Sequence, residues 1–303
     1  MQKKCYDIFM EPLLNERKGG LFYSIAAVVP VFAALAFSLI LVATGLQNET
    51  DAPWYLYAQF LLTQIPFALL LAVFLKREKI PLREIGVKGT KARYFVLAVL
   101  MQVGIFFALG SVNEQFVSIL YDAFGYIPPE TKLPPMEGFG IVGVLFVVAV
   151  LPAICEELIF RGVMVNSTKK MGFAFCVLVN GVLFSLFHEN PAQTIYQFLC
   201  GCIFALVAYR SGSVLPTMLS HFLNNAFVVV CQKFGIVSFE GMGWYPVAII
   251  LGWILLVGGI LWLVFERREE KKTGDKKGFF LAAALGIAVC AILWLANFFS
   301  YLL

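Results

Sequence analysis

The sequence is poor in charged residues and has only two histidines. Charged residues make up 14% of its 303 residues and hydrophobic residues 60%, with a mean hydropathy of +0.85. Soluble domains contain about 25% charged and about 45–50% apolar residues. A soluble protein of this size could not cover so much apolar surface, because its exterior must face water. The composition excludes a soluble protein and indicates a polytopic membrane protein.

Two common metal-binding patterns are also absent. The seven cysteines include no C-x-x-C pair, and the chain has no H-E-x-x-H. Six of the cysteines lie in apolar stretches, where cysteine behaves as a small hydrophobic residue. We therefore predict neither a disulfide framework nor a thiolate metal site. The net charge of +4 comes from short loops, so nucleic-acid binding is not predicted.

Long apolar runs divide the chain into membrane spans. A bilayer core of about 30 Å needs about 20 helical residues, and nine runs approach that length, the fifth and sixth being short. They cover residues 21–46, 54–75, 94–119, 139–160, 171–188, 193–209, 213–231, 245–265 and 278–302. With no internal repeat, we expect an all-α fold with a single transmembrane domain over 21–303. Residues 1–20 are expected to form a cytoplasmic tail or an interfacial helix.

Basic residues indicate how the spans are oriented. All lysines and arginines except Lys132 and Lys233 fall in the N-terminal tail or in alternate loops, including 76–93, 161–170 and 266–277. Cytoplasmic loops of membrane proteins carry such an excess. The sequence therefore predicts a cytoplasmic N-terminus and an extracellular loop at 120–138.

Polar groups are concentrated in one third of the chain. Ionisable residues inside membrane spans are costly and are usually functional. The only histidines, the Glu156–Glu157 pair and an amide pair all lie between 156 and 225. Three pairs are spaced by one helical turn, which places their members on one face: Glu157 with Arg161, Phe184 with His188, and His221 with Asn225. The first spacing predicts an ion pair, and together the three helices indicate a site.

These residues resemble the motifs of a known family. E-E-x-x-x-R at 156–161, F-x-x-x-H at 184–188 and H-x-x-x-N at 221–225 are similar, in that order, to the three motifs of the CPBP family. This family of CAAX proteases and bacteriocin-processing proteins includes the type II CAAX prenyl endopeptidases. The resemblance covers about 139–231, which would be the catalytic core, and it implies an intramembrane endopeptidase.

The resemblance also implies a role for each motif residue. Glu156 would be the general base that activates water, and His188 would help to hold and polarise that water. His221 and Asn225 would line an oxyanion hole, where preorganised donors can contribute about 3–4 kcal/mol. The remaining motif residues would support these four: Glu157, Arg161 and Phe184.

A metal mechanism is the alternative. Glu156, His188 and His221 form a His₂Glu set, a combination found in catalytic zinc sites. Against zinc, the chain has no compact ligand spacing, and Glu157 is expected to be tied to Arg161. We therefore predict a mechanism without a cofactor and keep zinc as the alternative.

Other functions use the same residues differently. A transporter could use the Glu and His side chains as a proton relay, and an inactive relative could act as a bacteriocin-immunity or scaffold protein. For the protease, the partners would be the lipid bilayer and membrane proteins or lipidated, possibly prenylated, CAAX-type peptides. The bacterial character of the family suggests a prokaryotic plasma membrane, and the basic loops suggest access from the cytoplasmic side.

The predicted spans place two site residues at different depths. Glu156 would lie near the cytoplasmic end of span four, and His188 would end span five near the opposite side, since a helix rises about 1.5 Å per residue. The two side chains can meet only if one of these helices is short, tilted or broken.

Overall fold

A computed structural model describes residues 13–266 and 273–302, and within these ranges the chain forms helices and no strand. We number the nine helices α1 to α9. They are Glu16–Thr44, Pro53–Arg77, Ala92–Phe124, Gly140–Met171, Phe173–Phe187, Pro191–Ser211, Leu215–Lys233, Tyr245–Phe265 and Lys276–Ser300.

The predicted all-α polytopic fold is confirmed, whereas the count of nine spans is not. Seven helices of the described chain are long and apolar enough to cross a membrane. The fifth helix has only 15 residues, and α7 carries polar residues of the candidate site. Most of the predicted tail at 1–20, namely residues 1–12, lies outside the described residues, and α1 begins at Glu16 after its N-cap Asn15.

The basic loops meet at one end of the bundle, which we call the basic end. Three contacts link them there: Lys18 with Glu78 at 2.7 Å, Gly274 N with Lys170 O at 3.0 Å, and Val214 N with Gly86 O at 3.0 Å. Two contacts of the remaining loops mark the opposite end, namely Lys132 with Asp51 at 2.7 Å and Lys233 Nζ with Met136 O at 2.9 Å. The sequence prediction that the basic end is cytoplasmic stays a prediction.

The fourth helix is longer than predicted. It was expected to end near residue 160 and to be followed by a loop at 161–170, but α4 continues to Met171. The reason is that the Arg161 guanidinium is not a loop charge. Its side chain is 1% exposed and binds Glu157 at 2.9 Å, so the arginine remains inside the bundle.

This longer helix removes the conflict between the depths of Glu156 and His188. Gly172 separates α4 from the short α5 and has φ of +102°, a conformation that favours glycine. Glu156 precedes this turn and His188 follows it by the same number of residues. Both side chains therefore lie at a similar height, about 22–24 Å from the turn. Of the three expected solutions, a short, tilted or broken helix, the structure has a short one, since α5 has 15 residues.

Close packing holds α5 against α6. A Cβ atom on Gly201 would lie 2.8 Å from Cα of Gly181, and one on Gly181 would lie 3.0 Å from the Phe198 carbonyl oxygen. Only glycine permits this approach of the two backbones. The Gly201 carbonyl also accepts a 3.5 Å hydrogen bond from Nη2 of Arg161, so the same crossing connects α4 to the pair.

Candidate active site

Glu156 lies where the three motifs converge. In α4, two π-helical segments, Leu145–Val150 and Leu158–Met164, flank the turn that carries it; such π-bulges are frequent at functional sites. The carboxylate is 13% exposed, and its Oε2 lies 3.9 Å from Nε2 of His188 and 4.0 Å from Nε2 of His221. The structure therefore brings together one residue from each motif.

Glu157 points away from Glu156 and binds two partners. Its Oε1 accepts hydrogen bonds of 2.9 Å from Nη1 of Arg161 and 2.9 Å from Nδ1 of His221. Glu157 is fully buried, and Arg161 supplies the opposite charge. The predicted Glu157–Arg161 ion pair is present, and it also binds the histidine of the third motif.

Phe184 connects the second motif to this ion pair. The Arg161 guanidinium lies 4.2 Å from the centroid of the Phe184 ring, within the range of a cation–π contact. The His188 ring packs edge-on against the same ring at 4.5 Å, and His188 Nδ1 lies 2.8 Å from the Phe184 carbonyl oxygen. Phe184 therefore orients His188 through both its ring and its backbone.

These contacts determine the tautomers of the two histidines. A carbonyl oxygen and an arginine-paired carboxylate only accept hydrogen bonds, so each histidine carries its proton on Nδ1. In the neutral form, both therefore direct an Nε2 lone pair towards Glu156. Nε2 of His221 would become a donor to an oxyanion only in the imidazolium form.

Asn225 donates a hydrogen bond to a backbone carbonyl of α4 near Pro152. Val148 belongs to the π-helical segment Leu145–Val150, and Pro152, four residues later, has no N–H to donate to its carbonyl. Nδ2 of Asn225 donates to this carbonyl at 3.0 Å. The bond uses one of the two amide hydrogens, and Asn225 lines the same cavity as Glu156.

The sequence reasoning assigned no role to two further amides. Nε2 of Gln64 in α2 donates to Oε1 of Glu156 at 3.1 Å. Asn224 lines the cavity, and its Oδ1 accepts from Tyr196 Oη at 2.6 Å and Gln102 Nε2 at 3.0 Å. The signal in the sequence was only that polar residues occur inside apolar helices, which does not specify a partner.

A cavity of about 880 Å³ contains the site and extends from it in one direction. Its wall is built by α1 to α7 and the loop that holds residues 130–132, which lies at the end opposite the basic end. Among the described residues, none of the basic loops contributes to the wall. The cavity shape therefore does not support the expected entry from the basic, cytoplasmic side.

The alternative zinc ligands have suitable atoms at unsuitable spacing. Fixing Nδ1 by a carboxylate or carbonyl is typical of metal-binding histidines. Bonds of 2.0–2.2 Å in a tetrahedral zinc site, however, bring ligand atoms to about 3.4 Å from one another, whereas Nε2 of each histidine lies 3.9–4.0 Å from Glu156. Within the described residues no group of three His, Cys, Asp or Glu side chains has metal-binding geometry.

The fold and the site define a helical membrane protein with a buried Glu/His cluster that opens into a large cavity. Residues 138–227 match the family described as type II CAAX prenyl endopeptidase Rce1-like. This match covers less than a third of the chain and includes all three motifs, so it supports the predicted resemblance to the CPBP family.

Two curated bacterial proteins are similar to the chain. One is the putative membrane peptidase YdiL of Bacillus subtilis, 27% identical over 222 residues that cover 71% of this chain and 90% of YdiL. The other is the membrane-embedded CAAX protease MroQ of Staphylococcus aureus, 25% identical over 187 residues that cover 58% of this chain and 74% of MroQ. No solved structure matches.

Proposed function

We propose that the protein is an intramembrane endopeptidase that hydrolyses its substrate with a water molecule activated by Glu156 and His188. The observation that carries this proposal is the convergence of Glu156 Oε2 with His188 Nε2 and His221 Nε2 at 3.9 Å and 4.0 Å inside the cavity. This spacing leaves room for a water molecule that donates hydrogen bonds to Oε2 of Glu156 and Nε2 of His188. The names of YdiL and MroQ support the same class of reaction.

Each step can be assigned to a residue of the cluster. Glu156 removes a proton from the water while its oxygen attacks the peptide carbonyl carbon, and His188 orients the water through Nε2. The negative charge on the carbonyl oxygen is stabilised by the second Nδ2 hydrogen of Asn225 and by His221 in its imidazolium form. Glu156 then returns its proton to the leaving nitrogen as the C–N bond breaks. No step uses a metal.

The cavity wall indicates a membrane-associated substrate with apolar side chains. Seven phenylalanines line it among many polar side chains, and aromatic surface beside placed polar groups is typical of a substrate pocket. A peptide with a hydrophobic or lipidated flank fits this wall, and a prenylated CAAX-type peptide is one such substrate. The peptide would enter at the end of the cavity that residues 130–132 line, which is opposite the basic end.

The test is cleavage of quenched fluorescent peptides, prenylated and unprenylated, by the protein purified in detergent. Wild type is compared with Glu156→Gln, with and without the chelator phenanthroline. We expect cleavage by wild type, its loss in the variant, and no effect of the chelator. Loss with the chelator and restoration by zinc would instead make Glu156, His188 and His221 metal ligands. Unchanged cleavage by Glu156→Gln would overturn the role of this carboxylate.

A wild type that cleaves none of the peptides would overturn the endopeptidase proposal and favour a non-catalytic role. A scaffold or immunity protein would keep its cellular phenotype in the Glu156→Gln strain, whereas a transporter would show substrate-dependent proton flux in liposomes.

A further inference from the structure

Among the described residues of α2, only Gln64 hydrogen-bonds to Glu156, the proposed general base. Gln64 is 6% exposed, and its Nε2 donates to Oε1 of Glu156 at 3.1 Å. An ionised carboxylate only accepts hydrogen bonds, so the amide must present its nitrogen to Glu156. The orientation of the Gln64 amide is therefore fixed, and its oxygen must point elsewhere.

The oxygen of this amide is left without a partner. Oε1 of Gln64 is buried and accepts no hydrogen bond within the described residues, although Gln64 lines the cavity beside Glu156. A buried acceptor without a donor costs free energy. The cost is recovered when a small rotation of the side chain turns this oxygen to an N–H or O–H group of a molecule in the cavity.

An extended peptide supplies such a donor at every non-proline residue. In an active site that holds a scissile peptide bond near Glu156, the N–H groups closest to Gln64 are those of residues next to that bond. We propose that Gln64 is a substrate-positioning residue, whose Nε2 holds Glu156 in place and whose Oε1 accepts a backbone N–H of the bound peptide. This inference rests on the proposed endopeptidase function and names its subsite for the peptide backbone.

The chain offers a matched control for the structural part of this role. Gln102 is 1% exposed, and its Oε1 is also buried without a partner among the described residues. Its Nε2 donates to an amide, Oδ1 of Asn224, and Gln102 does not belong to the cavity wall. Replacing either glutamine with methionine keeps the length of the side chain and removes a buried amide, but only Gln64 can contact a peptide.

The experiment combines these variants with peptides in which one backbone N–H is replaced by an ester oxygen. Esters are placed one at a time at the bonds on either side of the scissile amide, never at the scissile amide itself. In wild type, we expect one ester position to lower kcat/KM about five- to tenfold, the effect of losing one hydrogen bond. In Gln64→Met, cleavage of the all-amide peptide falls, and this ester causes no further loss. In Gln102→Met, the same ester costs as much as in wild type.

Several outcomes would overturn the inference. The inference is wrong if Gln64→Met cleaves the all-amide peptide with a kcat/KM within twofold of wild type. It is also wrong if every ester lowers the kcat/KM of Gln64→Met as much as it lowers that of wild type. If gel filtration in detergent shows that Gln64→Met does not fold, Gln64→Asn replaces it. This variant keeps the amide but shortens the side chain by one methylene, so the ester must lower its kcat/KM less than that of wild type. A wild type that cleaves no peptide would overturn the endopeptidase function, whereas an active wild type with an unaltered Gln64→Met would overturn only the role of Gln64.

Discussion

Nδ1 of His221 lies 2.9 Å from Oε1 of Glu157, the same oxygen that accepts a hydrogen bond from Arg161. One buried carboxylate therefore connects the first motif to the third. It also fixes the tautomer of His221, so that Nε2 faces Glu156. The two neighbouring carboxylates of the first motif thus have separate tasks: Glu157 organises the helices, and Glu156 faces the cavity.

This separation predicts opposite effects of the same substitution at adjacent positions. Glu157→Gln leaves the buried Arg161 guanidinium without its counter-charge, which we expect to cost about 3–5 kcal/mol of stability and to abolish activity through misfolding. Glu156→Gln, in a side chain that contacts no cation closely, should unfold at a temperature near that of wild type while cleavage is lost. Thermal unfolding and peptide cleavage in detergent measure both. Equal destabilisation by the two variants would contradict the assignment.

The role of His188 can be separated from its packing. His188→Asn keeps a side-chain N–H that can reach the Phe184 carbonyl, now 2.8 Å from Nδ1, but removes the Nε2 atom near Glu156. We expect kcat to fall about 10²-fold, because the attacking water loses the acceptor that orients it, with little change in melting temperature. His188→Leu, which removes both nitrogens, is the comparison and should also lose stability. Activity in His188→Asn within tenfold of wild type would argue against a catalytic role.

The motif residues were predictable because their spacing is local. One-turn spacing is a property of a single helix, so the Glu157–Arg161 pair and the Phe184–His188 pair could be derived from the sequence. The end of α4 could not, since a charged residue within an apolar run normally marks a loop. Arg161 does not end the helix because Glu157, Phe184 and Gly201 provide it with partners inside the bundle.

Contacts between distant helices were beyond sequence reasoning. Gln64 lies 92 residues from Glu156 in the chain, and nothing in an apolar run shows which polar side chain faces which partner. The same holds for Asn225 and the Val148 carbonyl, where the missing N–H of Pro152 could have been noted but its partner could not. The direction of the cavity likewise depends on how seven helices pack.

Stability should depend on pH through Glu189, in the loop between α5 and α6. Burial raises the pKa of this carboxyl to about 7, above its ordinary value in the unfolded chain of about 4.3. Between these values the unfolded state loses its proton while the folded state keeps it, so stability falls as pH rises and the loss is complete above about pH 7. Glu189→Gln removes this effect. We expect the variant to melt above wild type at pH 8 and together with it at pH 4.

The control for this prediction is Glu130→Gln, which changes an exposed carboxylate on the wall of the same cavity. Its melting temperature should follow that of wild type at both pH values. A Glu189→Gln variant that shows the same difference from wild type at pH 4 and pH 8 would mean that ionisation of Glu189 does not affect stability.

The cavity predicts the side of the membrane from which substrate enters. It reaches residues 130–132 at the end opposite the basic end, and the basic end is predicted to be cytoplasmic by the positive-inside rule. A peptide coupled to a large hydrophilic group that cannot cross the bilayer should therefore be cleaved by right-side-out vesicles and not by inverted ones. Detergent should equalise the two preparations, which controls for the amount of enzyme. Cleavage by inverted vesicles alone would place the entrance at the basic end and would require an opening between the basic loops that the cavity does not have.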